Sequence, residues 1–201
     1  MLISFEGIDG CGKSTQIDLL KRYFESKKID FSIFREPGGT EISEKIRALL
    51  LYESKDMDSV TELLLFSAAR SQLIREKVIP LLRQNEIVIL DRFYDSTTAY
   101  QGYGRKLKNL EVLKILNHLA SHSTVPDITF YLKIDPEQAQ ERTVKFSKDR
   151  MESSGIDFFR TVIEGYEILA ESEDRFVTID ASKEVKEIHL EIIEHLESRS
   201  V

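Results

Sequence analysis

The sequence predicts an α/β domain in which a doubly wound parallel sheet of five strands is flanked by helices. Short apolar runs alternate with segments of helical spacing along all 201 residues. Strands separated by helices favour parallel pairing through right-handed crossovers. A glycine-rich turn joins the first strand to the first helix, and no linker, repeat or low-complexity tract divides the chain. A chain of this length with 41% hydrophobic residues suits a single domain spanning 1–201.

The individual elements follow from hydrophobic spacing. Apolar runs predict strands at 2–6, 31–35, 87–91, 128–134 and 176–180. Helical spacing predicts helices at 14–27, 41–51, 59–83, 110–121, 136–143, 156–171 and 185–198. Ser59 with Glu62 is predicted to form a capping box, and Asp135 is predicted to cap the helix that opens with Pro136. The polar, glycine-containing stretch 145–155 predicts a mobile loop.

The most informative motif is the glycine-rich turn after the first strand. Residues 7–14 read GIDGCGKS and match the phosphate-loop pattern G-x-x-x-x-G-K-S/T. Backbone N–H groups of such a loop cradle phosphate oxygens, its lysine supplies a cation, and its serine hydroxyl can bind Mg²⁺. An ordinary glycine-rich turn is the alternative, but the flanking strand and helix favour the phosphate loop. The motif therefore predicts an ATP site formed by Gly7, Ile8, Asp9, Gly10, Cys11, Gly12, Lys13, Ser14 and Thr15.

Polar residues also follow the second and third predicted strands, on the side where ligands bind in open parallel sheets. Asp91 closes the third strand, where it could help Ser14 to organise Mg²⁺, and Arg92 beside it could bind a phosphate through two hydrogen bonds. The alternative is an ordinary salt bridge at the end of the strand.

Phe66 and Arg70 lie four residues apart on one helical face, so they could stack on a base and bind its edge. Alternatively, Phe66 is a core residue with a solvated neighbour.

Composition narrows the function classes. The formal net charge of -7 argues against a surface that binds nucleic acid without regard to sequence. The single cysteine, Cys11, excludes an intramolecular disulfide. Apolar runs fall short of the roughly 20 residues of a membrane span, and the first residues enter a strand without a signal peptide. We therefore expect a cytoplasmic protein that binds neither membranes nor nucleic acid.

These motifs together resemble the thymidylate kinase (dTMP kinase) family. Residues 89–101 (ILDRFYDSTTAYQ) fit the family's defining segment, and 35–40 (REPGGT), 66–70 (FSAAR) and 100–102 (YQG) look like its bacterial members. The resemblance extends from residue 1 to about 180. It implies a phosphate-loop nucleoside monophosphate kinase fold that phosphorylates dTMP to dTDP with ATP and Mg²⁺. It also implies a homodimer.

The resemblance assigns roles on the acceptor side. Phe66 would stack on thymine, while Arg70 and Gln101 would bind its edge through hydrogen bonds. Tyr100 would occupy the place where a ribose 2′-OH would point, which disfavours ribonucleotides. Arg92 would hold the dTMP phosphate. The same pocket would include Asp9 and Glu36 near the sugar and Mg²⁺, Arg35 or Arg47 near the phosphate, and Ser96 and Thr97 in its lining.

The resemblance also places basic residues in a lid. Family members that have glycine in the phosphate loop where others have arginine carry their basic residues in the lid, and Gly10 puts this chain among them. The mobile segment 145–155 is the expected lid, with Lys145 and Lys148 as further basic candidates. Arg150 is predicted to meet the transferring phosphoryl group only when the lid closes, and it is chosen because its flanking residues best resemble the bacterial lid. Arg142 is expected near the adenine of ATP and is the alternative lid cation.

Two other function classes remain open. Another nucleoside monophosphate kinase or a deoxynucleoside kinase could share the fold, and the acceptor would distinguish them. A nucleotide-dependent switch protein is the rival from a different class. Guanine-nucleotide switches usually carry an Asn-Lys-x-Asp run that reads the base, and this sequence lacks one.

Overall fold

The computed structural model describes residues 1–53, 56–107, 109–144, 150–151 and 154–199. Within these ranges the strands form a single parallel sheet of five, in the order β2-β3-β1-β4-β5. Their bounds are Leu2–Glu6 (β1), Phe31–Arg35 (β2), Ile87–Asp91 (β3), Ile128–Lys133 (β4) and Phe176–Asp180 (β5). The predicted fold class is thus confirmed. The predicted strands match too, except that β4 ends one residue earlier than expected.

As predicted, helices separate the strands, and a final helix follows β5. The α-helices are Lys13–Lys27 (α1), Glu41–Ala48 (α2), Ser59–Leu73 (α3), Ile79–Arg83 (α4), Tyr94–Thr97 (α5), Leu110–Ala120 (α6), Pro136–Thr143 (α7), Ile156–Ser172 (α8) and Val185–Glu197 (α9). Wider π-helical turns extend α2 over Leu49–Glu53, join α3 to α4 over Ile74–Val78 and extend α5 over Thr98–Gly104. The helical stretch after β3 was not predicted, because its small, polar and aromatic residues lack a helical apolar period.

The predicted cap of α3 is wrong, whereas that of α7 is confirmed. Asp58, not Ser59, caps α3: its side chain accepts hydrogen bonds from the backbone of Val60 at 2.9 Å and of Thr61 at 3.1 Å. Glu62, the expected second half of the capping box, turns into the interior and is 1% exposed. Asp135 accepts from the backbone N–H of Glu137 at 2.9 Å, as an N-cap should.

The sheet places the ends of its central strands side by side. All five residues of β1 are buried, and Phe5 of β1 lies in register with Asp91 of β3. The loops after β1, β2 and β3 therefore open at the same edge of the sheet, where ligands bind in folds of this kind. Among the described residues no helix is both long and apolar enough to cross a membrane.

Candidate active site

The phosphate loop has the geometry that its sequence predicts. Gly7, Gly10 and Gly12 all have positive φ, at 134°, 86° and 97°, which side-chain-bearing residues rarely adopt. Helix α1 begins directly after the loop at Lys13. The ammonium of Lys13 donates to the carbonyls of Gly7 at 3.0 Å and Ile8 at 3.2 Å, so it lies over the loop. Strand, loop and helix together provide a site for the phosphates of a nucleotide.

Helix α7 packs directly against this loop. A Cβ atom at Gly10 would lie 2.3 Å from the carbonyl oxygen of Ala139, so a side chain has no room there. From the end of the same helix, Arg142 donates to the carbonyl of Ala181 at 3.1 Å and reaches that of Gly10 at 3.5 Å. The guanidinium group of Arg142 thus lies at the rim of the phosphate loop, held there by α7.

A cavity of about 780 Å³ opens beyond the strand ends and joins the loop to the other predicted residues. Its volume lies within the range typical of small-molecule sites. The predicted site residues that line it are Asp9, Gly10, Cys11, Gly12, Lys13, Ser14, Thr15, Glu36, Arg47, Phe66, Arg70, Asp91, Arg92, Ser96, Thr97, Tyr100, Gln101 and Arg142. Gly7 and Ile8 lie beneath it, where their carbonyls hold Lys13.

Arg92 links the phosphate loop to the helical stretch after β3. Its backbone is left-handed, with φ of 72°, and its guanidinium donates to Asp9 at 2.7 Å and to the Gly7 carbonyl at 2.9 Å. It also reaches Ser96 Oγ at 3.2 Å and the Tyr100 hydroxyl at 3.3 Å. Burial alone would raise the pKa of Asp9, but the charges of Arg92 and Lys13 and the hydrogen bond from Arg92 together lower that pKa. Asp9 therefore stays ionised beside a cation that faces the cavity.

Glu36 and Arg70 form a buried ion pair at the far side of the cavity. Their side chains are 3% and 2% exposed, and Arg70 Nε lies 2.7 Å from Glu36 Oε2. Arg70 Nη2 donates to the carbonyl of Phe93 at 3.1 Å. Arg70 Nη1 is buried with no hydrogen-bond partner among the described residues, as is Glu36 Oε1. An unsatisfied donor in the wall of a cavity fits a ligand that brings an acceptor, because an unpaired buried donor is costly.

Three residues of the helical stretch after β3 complete the wall. Thr97 is 1% exposed, and its hydroxyl is buried with no hydrogen-bond partner in the described part of the chain. Tyr100 lies with its ring 5.1 Å from the Arg92 guanidinium carbon, and burial raises the pKa of its hydroxyl, which stays protonated. Gln101 is 1% exposed and donates through Nε2 to Glu62 at 2.9 Å.

Glu6, at the end of β1, is a residue of this region that the sequence analysis did not identify. It is fully buried and accepts hydrogen bonds from the backbone of Phe93 at 2.7 Å, from Ser96 Oγ at 2.6 Å and from the Tyr166 hydroxyl at 2.9 Å. Burial, with a smaller contribution from Asp95, raises the pKa of Glu6 to about 7. It thereby fixes the segment that carries Arg92. The sequence feature that could have identified Glu6 is its position as a glutamate at the end of an apolar strand, directly before the phosphate loop.

Arg150 contacts residues behind the cavity wall. Its guanidinium is 2.6 Å from Glu62 and donates to the carbonyl of Leu50 at 2.9 Å, and its side chain is 14% exposed. It is absent from the described residues that line the cavity, whereas Arg142 is among them. Of the predicted lid 145–155, residues 145–149, including Lys145 and Lys148, and 152–153 lie outside the described residues.

The predicted magnesium ligands fit such a role. Ser14, which is exposed at the start of α1, and Asp91, at the end of β3, line the same cavity. Within the described ranges, His, Cys, Asp and Glu side chains form no group of three or more that could hold a metal ion. Mg²⁺ bound together with phosphates needs only one or two protein oxygens. One hydroxyl and one carboxylate are therefore a sufficient set when a nucleotide supplies the other ligands.

Comparison with known proteins agrees with this geometry. The family model "Thymidylate kinase" matches residues 5–192. The thymidylate kinase of Chlorobaculum tepidum is 49% identical over 211 residues, which cover 98% of this chain and 97% of the relative. That of Thermoanaerobacter pseudethanolicus is 44% identical over 193 residues, covering 96% and 95%. The crystal structure of thymidylate kinase from Ehrlichia chaffeensis superposes with a TM-score of 0.80 at 35% identity and covers 98% of both chains. The chain therefore belongs to the thymidylate kinase family.

Proposed function

We propose that the 780 Å³ cavity is where this enzyme transfers the γ-phosphoryl group of ATP to dTMP. The chain is a kinase that phosphorylates dTMP to dTDP, as its family membership gives. The assignment rests on the observation that the cavity is one continuous space. The phosphate loop at one end and the buried Arg70 at the other line the same space, so a donor and an acceptor can meet within it.

On the donor side, the loop amides and Lys13 would hold the ATP phosphates. Ser14 and Asp91 would hold Mg²⁺, which neutralises phosphate charge when it is bound. Arg142, which lies on the rim of the loop, is our candidate for the cation that meets the transferring phosphoryl group; contact with the adenine of ATP is its alternative role. Arg150 is the weaker candidate, because its guanidinium is bound to Glu62.

On the acceptor side, Phe66 would stack on the thymine ring, with Arg70 and Gln101 at its edge. Arg92 would bind the dTMP phosphate, and Tyr100 would exclude a ribose 2′-OH. The remaining lining residues proposed to surround dTMP are Asp9, Glu36, Arg47, Ser96 and Thr97.

The proposed chemistry requires positioning more than proton transfer. The acceptor oxygen belongs to a phosphate that is already ionised at neutral pH, so a strong general base is unnecessary. Catalysis then rests on alignment of the two substrates and on neutralisation of charge on the transferring group. Lys13, Arg92 and Arg142 surround the loop with positive charge that suits this task.

The assignment of the base site is tested by dTMP binding to Phe66→Ala, measured by calorimetry. Loss of base stacking is worth about 1–3 kcal/mol, so we expect the dTMP Kd to rise about tenfold while the ATP Kd stays unchanged. Tyr52→Ala is the matched control, because Tyr52 is 70% exposed and is not among the described residues lining the cavity. A larger effect on ATP than on dTMP would place the base site elsewhere.

We also propose a cytoplasmic homodimer. Helices α3 and α6 pack against each other and expose apolar side chains at helical spacing. Those more than half exposed are Leu64, Val112, Ile115 and Leu119, with Val60 at 50%. Exposed apolar patches of this kind mark protein interfaces. Light scattering should give twice the chain mass for the wild type and the single-chain mass for Ile115→Glu. An unchanged mass for the variant would reject this face as the dimer interface.

The cytoplasm is proposed as the location of the enzyme because it holds the ATP pool.

A further inference from the structure

The buried carboxylate of Glu62 connects three parts of the chain behind the cavity wall. It is 1% exposed and lies in the first turn of α3. Its Oε1 accepts from Gln101 Nε2 at 2.9 Å and from Arg105 Nε at 3.1 Å. Its Oε2 lies 2.6 Å from Arg150 Nη1 and 3.3 Å from Arg105 Nη2. Glu62 itself is not among the described residues that line the cavity, whereas Gln101 is.

The two guanidinium groups keep Glu62 in its acceptor form. Burial alone would raise the pKa of Glu62, but the hydrogen bonds from Arg105, Gln101 and Arg150 and the charge of Arg105 together lower that pKa. An ionised carboxylate only accepts hydrogen bonds, so it can face the NH₂ end of the Gln101 amide and not its oxygen. The oxygen of that amide is then the end that a ligand in the cavity meets.

The cavity consequently presents a defined pair of groups to a base. Arg70 can only donate, and the Gln101 oxygen can only accept. A base that places a carbonyl oxygen next to a ring N–H satisfies both, as thymine and uracil do with O4 and N3–H. Cytosine places an amino group and an unprotonated ring nitrogen at the same positions, so both contacts would be mismatched.

We propose that Glu62 is a positioning residue that fixes the orientation of the Gln101 amide and so makes the site select pyrimidines with a protonated N3. This inference rests on the proposed function, which puts the base against Arg70 and Gln101. If Glu62 loses its charge, the amide can rotate by half a turn and donate to an unprotonated N3. The part of the discrimination against cytosine that Gln101 supplies is then lost, while the part that Arg70 supplies remains.

The test is the ratio of kcat/KM for dTMP to kcat/KM for dCMP, measured with ATP and Mg²⁺. Because both acceptors share the donor and the chemical step, this ratio cancels general changes in rate. Glu62→Gln should lower the ratio about tenfold, the worth of one mismatched buried hydrogen bond. Glu25→Gln is the control, since Glu25 is 55% exposed on α1, away from the described cavity lining, and should leave the ratio unchanged.

A double-mutant cycle separates positioning from a general structural role. On a Gln101→Ala background, Glu62→Gln should change the ratio no further, because the amide that it orients is gone. A folded Glu62→Gln that keeps the wild-type ratio, or a fall of equal size on the Gln101→Ala background, would overturn the inference. A wild type that shows no preference for dTMP over dCMP would overturn the proposed base site instead, and this inference with it.

A second variant covers the case in which Glu62→Gln alone does not fold. Without the carboxylate, the guanidinium groups of Arg105 and Arg150, which are 22% and 14% exposed, lose the anion that they share, which is costly. Combining Glu62→Gln with Arg150→Met removes one of these two guanidinium groups. The double variant should show the same fall of about tenfold in the dTMP to dCMP ratio, which corresponds to one mismatched hydrogen bond. An unchanged ratio in this folded pair would likewise overturn the inference.

Discussion

Removal of Arg70 should affect both stability and acceptor binding, and the structure gives the size of each effect. Arg70→Met keeps the length of the side chain and takes away its charge, which leaves Glu36 buried without the guanidinium 2.7 Å away. Where Glu36 is ionised, breaking a buried pair in this way costs about 3–5 kcal/mol of unfolding free energy. The double variant Arg70→Met/Glu36→Leu should recover most of that loss, because apolar replacement of a whole buried pair is often neutral.

The loss should depend on pH in a defined direction. Burial raises the pKa of Glu36 to about 7 even though Arg70 opposes it, so in the wild type the carboxyl loses its proton near neutrality. Without Arg70 that pKa rises further, and deprotonation of the folded variant becomes less favourable than in the wild type. The destabilisation by Arg70→Met should therefore grow as the pH rises from about 6 to about 8.

Urea unfolding followed by circular dichroism at fixed protein concentration measures this effect in a chain without tryptophan. Steady-state kinetics on the same proteins should show a rise of about tenfold or more in KM for dTMP, with a smaller effect on ATP, because a buried hydrogen bond to the base is lost. A loss of stability below about 1 kcal/mol, or one that is the same at both pH values, would refute the reasoning about the pair. An ATP KM that rises more than the dTMP KM would refute the placement of the base.

The remaining predictions concern single positions around the cavity. Lys13→Ala should lower kcat by about 10²–10³ without changing thermal stability, because among the described residues its ammonium contacts only groups of the phosphate loop itself; near-normal kcat would reject the phosphate-loop role. Tyr100→Ala should accept UMP better than wild type while Tyr100→Phe should not, and equal UMP turnover in all three would remove Tyr100 from sugar selection. Arg142→Ala should lower kcat by about 10³ and Arg150→Ala far less; the reverse order would return the role to Arg150. Glu6 binds its proton more tightly in the folded chain, so its contribution to the free energy of unfolding falls as the pH rises from 4.5 to about 7. Glu6→Gln should reduce this pH dependence of the free energy of unfolding by roughly 1 kcal/mol per pH unit. An unchanged pH dependence would contradict the raised pKa of Glu6.

Local patterns predicted the fold and the phosphate loop because their determinants lie close together in the sequence. The strand at Leu2–Glu6, the loop glycines and the helix from Lys13 are contiguous, so hydrophobic period and turn chemistry suffice to place them. Strands β1, β3 and β4 lie in the interior of the parallel sheet and are largely buried, so they read as nearly continuous apolar runs.

Such local patterns could not predict contacts between residues that lie far apart in the sequence. Its spacing to Ser59 predicts that Glu62 is part of a helix cap, yet its partners Arg105 and Arg150 lie far away in the sequence. Arg150 was predicted from its immediate neighbours alone, which could not show that its guanidinium is bound to Glu62. The buried Glu6 was missed for the same reason, because Tyr166 and Ser96 reach it only in the folded chain.

The central claim is that one cavity brings a nucleotide donor to dTMP, and an acceptor panel tests it most directly. Initial rates with ATP and Mg²⁺ are measured for dTMP, dUMP, UMP, dCMP, AMP and thymidine. We predict that dTMP has the highest kcat/KM, that dUMP follows because it shares the N3–H and O4 pair, and that thymidine is not a substrate because it lacks the phosphate that Arg92 would hold. Faster turnover of thymidine or AMP, or ATP hydrolysis that does not depend on the acceptor, would contradict the account.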